Sequence, residues 1–198
     1  MYNPYLKAEI SAGIYTSHAG LASESTTEPL FYSVSSISLQ FPAIPFKSFR
    51  PSPAKTFVSL TTSPGILSPP DIDSVFCDLK PLHPKQLIGK WNGFVLPTGH
   101  PFEKELGRFN WFGQTFDSTE DVAPIVISRN GRRLEYENWG RASLHEIKYQ
   151  GAVSTALIYD DHPVIVYYRA VRPNILVGIM ESKKFGRSGN FYFYLKRI

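Results

Sequence analysis

The chain has 198 residues, 42% hydrophobic and 14% aromatic, which suits one folded domain with a sizeable core and excludes a disordered chain. Its net charge of +4 is spread without a basic run longer than two residues, so the concentrated stripe that nucleic-acid binding requires is absent. A single cysteine, Cys77, excludes an internal disulfide and a zinc site built from several thiolates.

The N-terminus shows no basic segment followed by an apolar block, and no window is apolar enough to span a membrane as a helix. A cytoplasmic protein is expected. Residues 1–70 are rich in Ser, Thr and Pro, and Pro42, Pro45, Pro51 and Pro53 argue against long helices there. This segment is expected to be an irregular arm, with "FYSVSSISLQF" able to form an edge strand.

Residues 71–198 are the expected domain. "DIDSVFCDL" predicts a short helix capped by Asp71, with Ile72, Val75, Phe76 and Leu79 on one face and Pro81 ending it. Cys77, within that pattern, is expected to be a buried and inert thiol. Leu87 to Leu96 predicts the first strand, and "PFEKELGRFNWFG" has room for one or two helical turns. Asn130-Gly131, inside "APIVISRNGRRLEYE", predicts a tight hairpin.

From Leu144 onward the spacing is regular. "LHEIKYQ", "AVSTALIYD", "PVIVYYRAV", "ILVGIMES" and "NFYFYLKRI" are short strands separated by turn signals. Strands of this length and spacing predict a mainly β fold, a single antiparallel up-and-down barrel with one or two short helices. A barrel of about eight strands has an interior wide enough for one small ligand.

"FCDLKPLHPKQLIGKWNGFVLPTGHPFEKEL" and "FNWFGQTFDSTEDVAPIV" resemble the GXWXG family, whose name is spelled by Gly89-Lys90-Trp91-Asn92-Gly93. "YQGAVSTALIYDDHPVIVYYRAV", "VGIMESK" and "FYFYLKR" resemble the domain of unknown function that usually follows it. The resemblance implies a lipocalin-like barrel and carries no general activity. Its fungal members are often associated with secondary-metabolite pathways, which implies a natural-product intermediate as ligand. This chain departs from the family's pattern at Gln114, Val166 and Glu181, where the pattern usually has Lys, Asp and Asp, so a retuned pocket is implied.

Trp91 is expected to close one barrel end, as such tryptophans do in lipocalin-like barrels, under an arginine from the last strand, Arg197. His100 is the histidine best placed for chemistry. It follows Gly99 in a loop at a strand end, where it could act as a general acid or base or simply cap the turn begun by Pro101. Asp160 and Glu181, near strand ends, are the other candidate catalytic groups, with Arg169 or Lys183 stabilising developing negative charge. Trp111, Phe112, Gln114, Tyr159, Tyr168 and Phe193 are the candidate lining of the cavity. Alternation allows only one of Tyr167 and Tyr168 to point inward.

His100, His145 and His162 lack metal-ligand spacing, and no nucleotide-type glycine loop is present, so neither metal nor cofactor is expected. These residues point to a cofactor-independent cyclase, isomerase or dehydratase for a small hydrophobic molecule. A non-catalytic carrier and a protein-interaction module are the alternatives, and a homodimer is compatible with each.

Overall fold

A computed structural model describes residues 51–198. The edge strand read in "FYSVSSISLQF" and His18 lie outside the described residues. Helix α1 spans Pro53–Thr62 and α2 spans Pro69–Asp78. Helix α1 falls within the stretch read as an irregular arm. Pro53 starts it rather than breaking it, because the first helical position has no intrahelical partner for its N–H, and Ser52 caps it by accepting from the Lys55 N–H. In α2 the N-cap is Ser68, not Asp71; Pro69 and Pro70 fill the first turn, and Asp71 there complements the helix dipole. Cys77 is exposed, not buried, and its thiol meets the Gln150 side chain at 3.2 Å.

The strands are β1 (Gly89–Val95), β2 (Trp111–Phe116), β3 (Val122–Arg129), β4 (Arg132–Glu135), β5 (Ala142–Tyr149), β6 (Ala152–Tyr159), β7 (Val164–Arg172), β8 (Ile175–Ser182) and β9 (Phe191–Arg197). Helix α3 (Phe102–Arg108) lies between β1 and β2. Every pairing is antiparallel, and β9 returns to β1, so eight strands close an up-and-down barrel while β4 flanks the far half of β3. The β3–β4 turn is the predicted one: Asn130 and Gly131 both have positive φ, which suits a two-residue hairpin loop. Among the described residues no helix is long and apolar enough to cross a membrane.

Two apolar layers hold this frame. The barrel interior packs Trp91, Phe116, Leu157, Tyr168, Phe191 and Phe193. Outside, α1 and α2 cover one side of the sheet through Phe57, Ile72 and Phe76 against Tyr167, Ile179 and Tyr192. Tyr168 faces in and Tyr167 faces out, as alternation requires.

The Gly89-Lys90-Trp91-Asn92-Gly93 stretch belongs to the closed end. The Arg197 guanidinium lies 4.1 Å from the centre of the Trp91 ring, and the Trp91 indole N–H donates to the Leu87 carbonyl at 2.6 Å. Arg197 also donates to the carbonyls of Gln86 and Ile88. Gly93 leaves room for a ring: a Cβ there would come within 2.3 Å of Trp111. Gly113 is forced by close approach, because its Cβ would sit 2.0 Å from the Trp91 carbonyl oxygen.

Candidate functional site

Alternating strand direction puts the connections after β1, β6 and β8 at the end opposite Trp91 and Arg197. The loop after β1 carries His100, the turn after β6 carries His162, and the segment after β8 is a strap, Lys183–Ser188, of short helical turns. Between β4 and β5 the chain bulges out through the turn Glu137–Trp139, bringing Trp139 to the same end. A cavity of about 360 Å³ opens there, lined by His100, Phe102, Glu105, Trp139, Lys184 and Phe185 among others. This lies at the small end of ligand-site volumes.

Local geometry fixes His100. Gly99 has φ 79°, a left-handed turn that places the histidine back under the loop. The Glu103 carboxylate accepts from the N–H groups of Thr98 and His100, both at 2.9 Å, and so clamps the loop onto the first turn of α3. His100 Nδ1 accepts from the Phe102 N–H at 3.1 Å. The imidazole meets Phe185 at 4.7 Å edge-on, and Phe102 packs on both Phe185 and Trp139.

This divides the two roles weighed for His100 between its two nitrogens. Nδ1 is the cap. In a neutral ring that acceptor nitrogen carries no proton, so Nε2 carries it and is a donor. Burial pushes the His100 pKa below the usual imidazole value, with the Gly189 backbone and the Glu103 charge opposing only in part. The ring is therefore neutral near neutrality, and Nε2–H is buried without a hydrogen bond of ordinary geometry among the described residues. A buried donor left in that condition costs free energy unless something else accepts from it.

The other candidates separate. Asp160 is exposed in the β6–β7 turn, and Glu181 is exposed on the outer face, where its carboxylate accepts from Tyr167 at 3.2 Å. Lys183 and Glu181 line an outer groove, not the mouth. Arg169 is buried beneath α2, 5.0 Å over the Phe76 ring, and donates to the carbonyls of Tyr168, Tyr149 and Ala152; it is a structural pin. Phe112 faces out and carries the Arg133 guanidinium at 5.1 Å.

Trp111, Gln114, Tyr159, Tyr168 and Phe193 do face inward, but as core rather than as walls of the mouth cavity. Gln114 accepts from the Tyr168 hydroxyl at 2.7 Å and donates to the Pro124 carbonyl at 3.1 Å. Burial drives the Tyr159 and Tyr168 hydroxyls far above the usual phenol range, so both stay neutral. The mouth residues that sequence reasoning missed are Glu103, Glu105, Trp139, Lys184 and Phe185. Only Glu103 left a trace, its spacing of three from His100 matching a capping box. Among the described residues no three His, Cys, Asp or Glu side chains gather as a metal site.

Residues 74–131 match the GXWXG protein family, and residues 140–197 match a domain of unknown function (DUF4334). The crystal structure of a protein from Thermomonospora curvata is similar, with 28% identity and a TM-score of 0.68 over 74% of this chain and 98% of that one. No curated protein matches the chain.

Proposed function

The chain belongs to the GXWXG family, and on that frame we propose that its mouth cavity binds a small hydrophobic carbonyl compound and isomerises it by proton transfer next to the carbonyl. The observation that carries this reading is the divided histidine: Nδ1 is spent on the backbone, and Nε2–H is a neutral, buried donor without a hydrogen bond of ordinary geometry among the described residues. Asp160 and Glu181, the groups expected to share acid–base work with His100 in a cyclisation or dehydration, face elsewhere. Allylic isomerisation needs one base and one electrophile, and the cavity offers both.

In this mechanism the Glu105 carboxylate removes a proton from the carbon beside the carbonyl. The C–H electron pair moves into the developing enolate, whose oxygen accepts from His100 Nε2–H. The same carboxylate returns the proton at the far end of the allylic system, so substrate and product are isomers and nothing is oxidised or reduced. A neutral imidazole donor beside a carboxylate base is a known division of labour for such chemistry. Phe185 lies over the His100 ring, so the strap has to lift for the carbonyl to reach Nε2, and its closure would exclude water.

The second reading, a non-catalytic carrier acting in the cytoplasm, is favoured by the sealing of Nε2 beneath that strap. Conversion of a β,γ-unsaturated cyclic ketone to its conjugated isomer, followed by ultraviolet absorbance, separates the two. Loss of the donor in His100→Leu, or of the base in Glu105→Gln, is expected to slow conversion about a hundredfold. Binding of the ketone with no acceleration over buffer would leave the carrier reading standing alone.

A further inference from the structure

The proposed mechanism uses His100 and Glu105 and leaves the strap's own charge unexplained. Lys184 lines the mouth cavity together with Ser182 and Ser188. Its ammonium lies 3.0 Å from His162 Nδ1, and His162 Nε2 lies 3.2 Å from the Asn138 carbonyl. An ammonium can only donate, so Nδ1 is the acceptor and Nε2–H donates to Asn138. His162 also packs edge-on against Trp139 at 5.0 Å. The chain of contacts from Asn138 through His162 to Lys184 holds the cation at the rim rather than leaving it to swing in solvent.

Lys184 forms no ion pair with a carboxylate among the described residues; the ion pairs there are those of Arg141 and of His83 with Glu146. The carboxylate that shares the cavity is Glu105, which belongs to α3 and not to the strap. Ser182 is spent on the backbone, since its hydroxyl donates to the Pro163 carbonyl and accepts from the Lys184 N–H. One side of the mouth thus offers an ammonium and the Ser188 hydroxyl, while another offers a carboxylate.

We propose that the mouth cavity recognises an amphipathic acid, an apolar body carrying one carboxylate, with the carboxylate held by Lys184 and Ser188 of the strap. The inference rests on the site reading above and fixes how the ligand lies: acid group toward the strap, reactive carbon toward Glu105. For the proposed isomerisation it names the substrate class as an unsaturated keto acid, because a carboxylate does not itself acidify the neighbouring C–H as a ketone does.

Naphthylacetate and its neutral isostere naphthylacetamide, titrated calorimetrically into the full chain at low ionic strength, test this. The acid is expected to bind about tenfold tighter, the worth of one charge-assisted hydrogen bond. That preference is expected to vanish in Lys184→Gln, to survive in Lys183→Gln, whose side chain lines the outer groove, and to shrink with added salt. Equal binding of acid and amide to the wild type would overturn the inference and leave the site reading intact. A preference that survives Lys184→Gln would overturn it equally, by placing the anion elsewhere. If neither probe binds, the inference and the site reading fail together.

Discussion

The two ends of the barrel are built on opposite rules. At the closed end the Trp91 indole N–H and both terminal nitrogens of Arg197 meet backbone carbonyls, and Gly93 and Gly113 bring neighbours to contact distance. At the mouth a buried imidazole N–H has no hydrogen bond of ordinary geometry among the described residues, and the strap over it, with Gly186 at φ 55° and Gly189 at φ 77° after it, carries a cation that forms no ion pair there. Satisfied contacts hold a fold together. A buried donor without a partner beside a cavity is a place where a ligand can supply what is missing.

Substitutions at the two ends sharpen that contrast. Trp91→Ala is expected to cost about 3–5 kcal/mol in denaturant unfolding, since it empties the largest fully buried site and strands the Arg197 charge. Arg197→Ala is expected to cost about 2 kcal/mol by the same measurement, from the lost ring contact and two carbonyls left without their donor. A wild-type stability for Trp91→Ala would remove the closed end's structural role.

Mouth substitutions are expected to do less to stability and more to access. Phe185 is half-buried, so Phe185→Ala is expected to cost about 1 kcal/mol. It should also speed modification of His100 by an imidazole-directed acylating reagent, read by mass spectrometry. Unchanged reactivity would mean that Phe185 does not cover the ring.

The smallest effect is on pH dependence. His100 has a folded-state pKa below its unfolded one, so on acidification the unfolded chain takes up the proton first. Stability is therefore full above the unfolded value of about 6.5 and falls as pH drops from there through the folded value. In His100→Leu that part of the slope should disappear from denaturant midpoints measured across the acid range.

The barrel frame was far more legible in the sequence than the mouth, for a physical reason. Gly89, Trp91, Asn130-Gly131 and the alternation around Tyr168 are constrained by neighbours close in the chain or by strict strand periodicity. Local pattern therefore reveals them. The mouth is assembled from residues 100, 105, 139, 184 and 185, which lie on separate connections and meet only because alternating strands return to the same end. Asp160 and Glu181 were attractive as charges near strand ends, yet a turn tip and an outward strand position send both away from the cavity. Arg169 looked like a free cation because nothing nearby in sequence shows that α2 lies on it. His100 was legible because Gly99 and Pro101 bracket it, whereas the division of work between its nitrogens depends on the Phe102 N–H and on burial.

Nitrogen NMR of the imidazoles, with His100→Leu to assign the resonance, tests the central claim most directly. A neutral His100 protonated at Nε2 and titrating below the ordinary imidazole value is the predicted result. A ring protonated at Nδ1, or a titration at or above that value, would contradict it and leave the mouth without its donor.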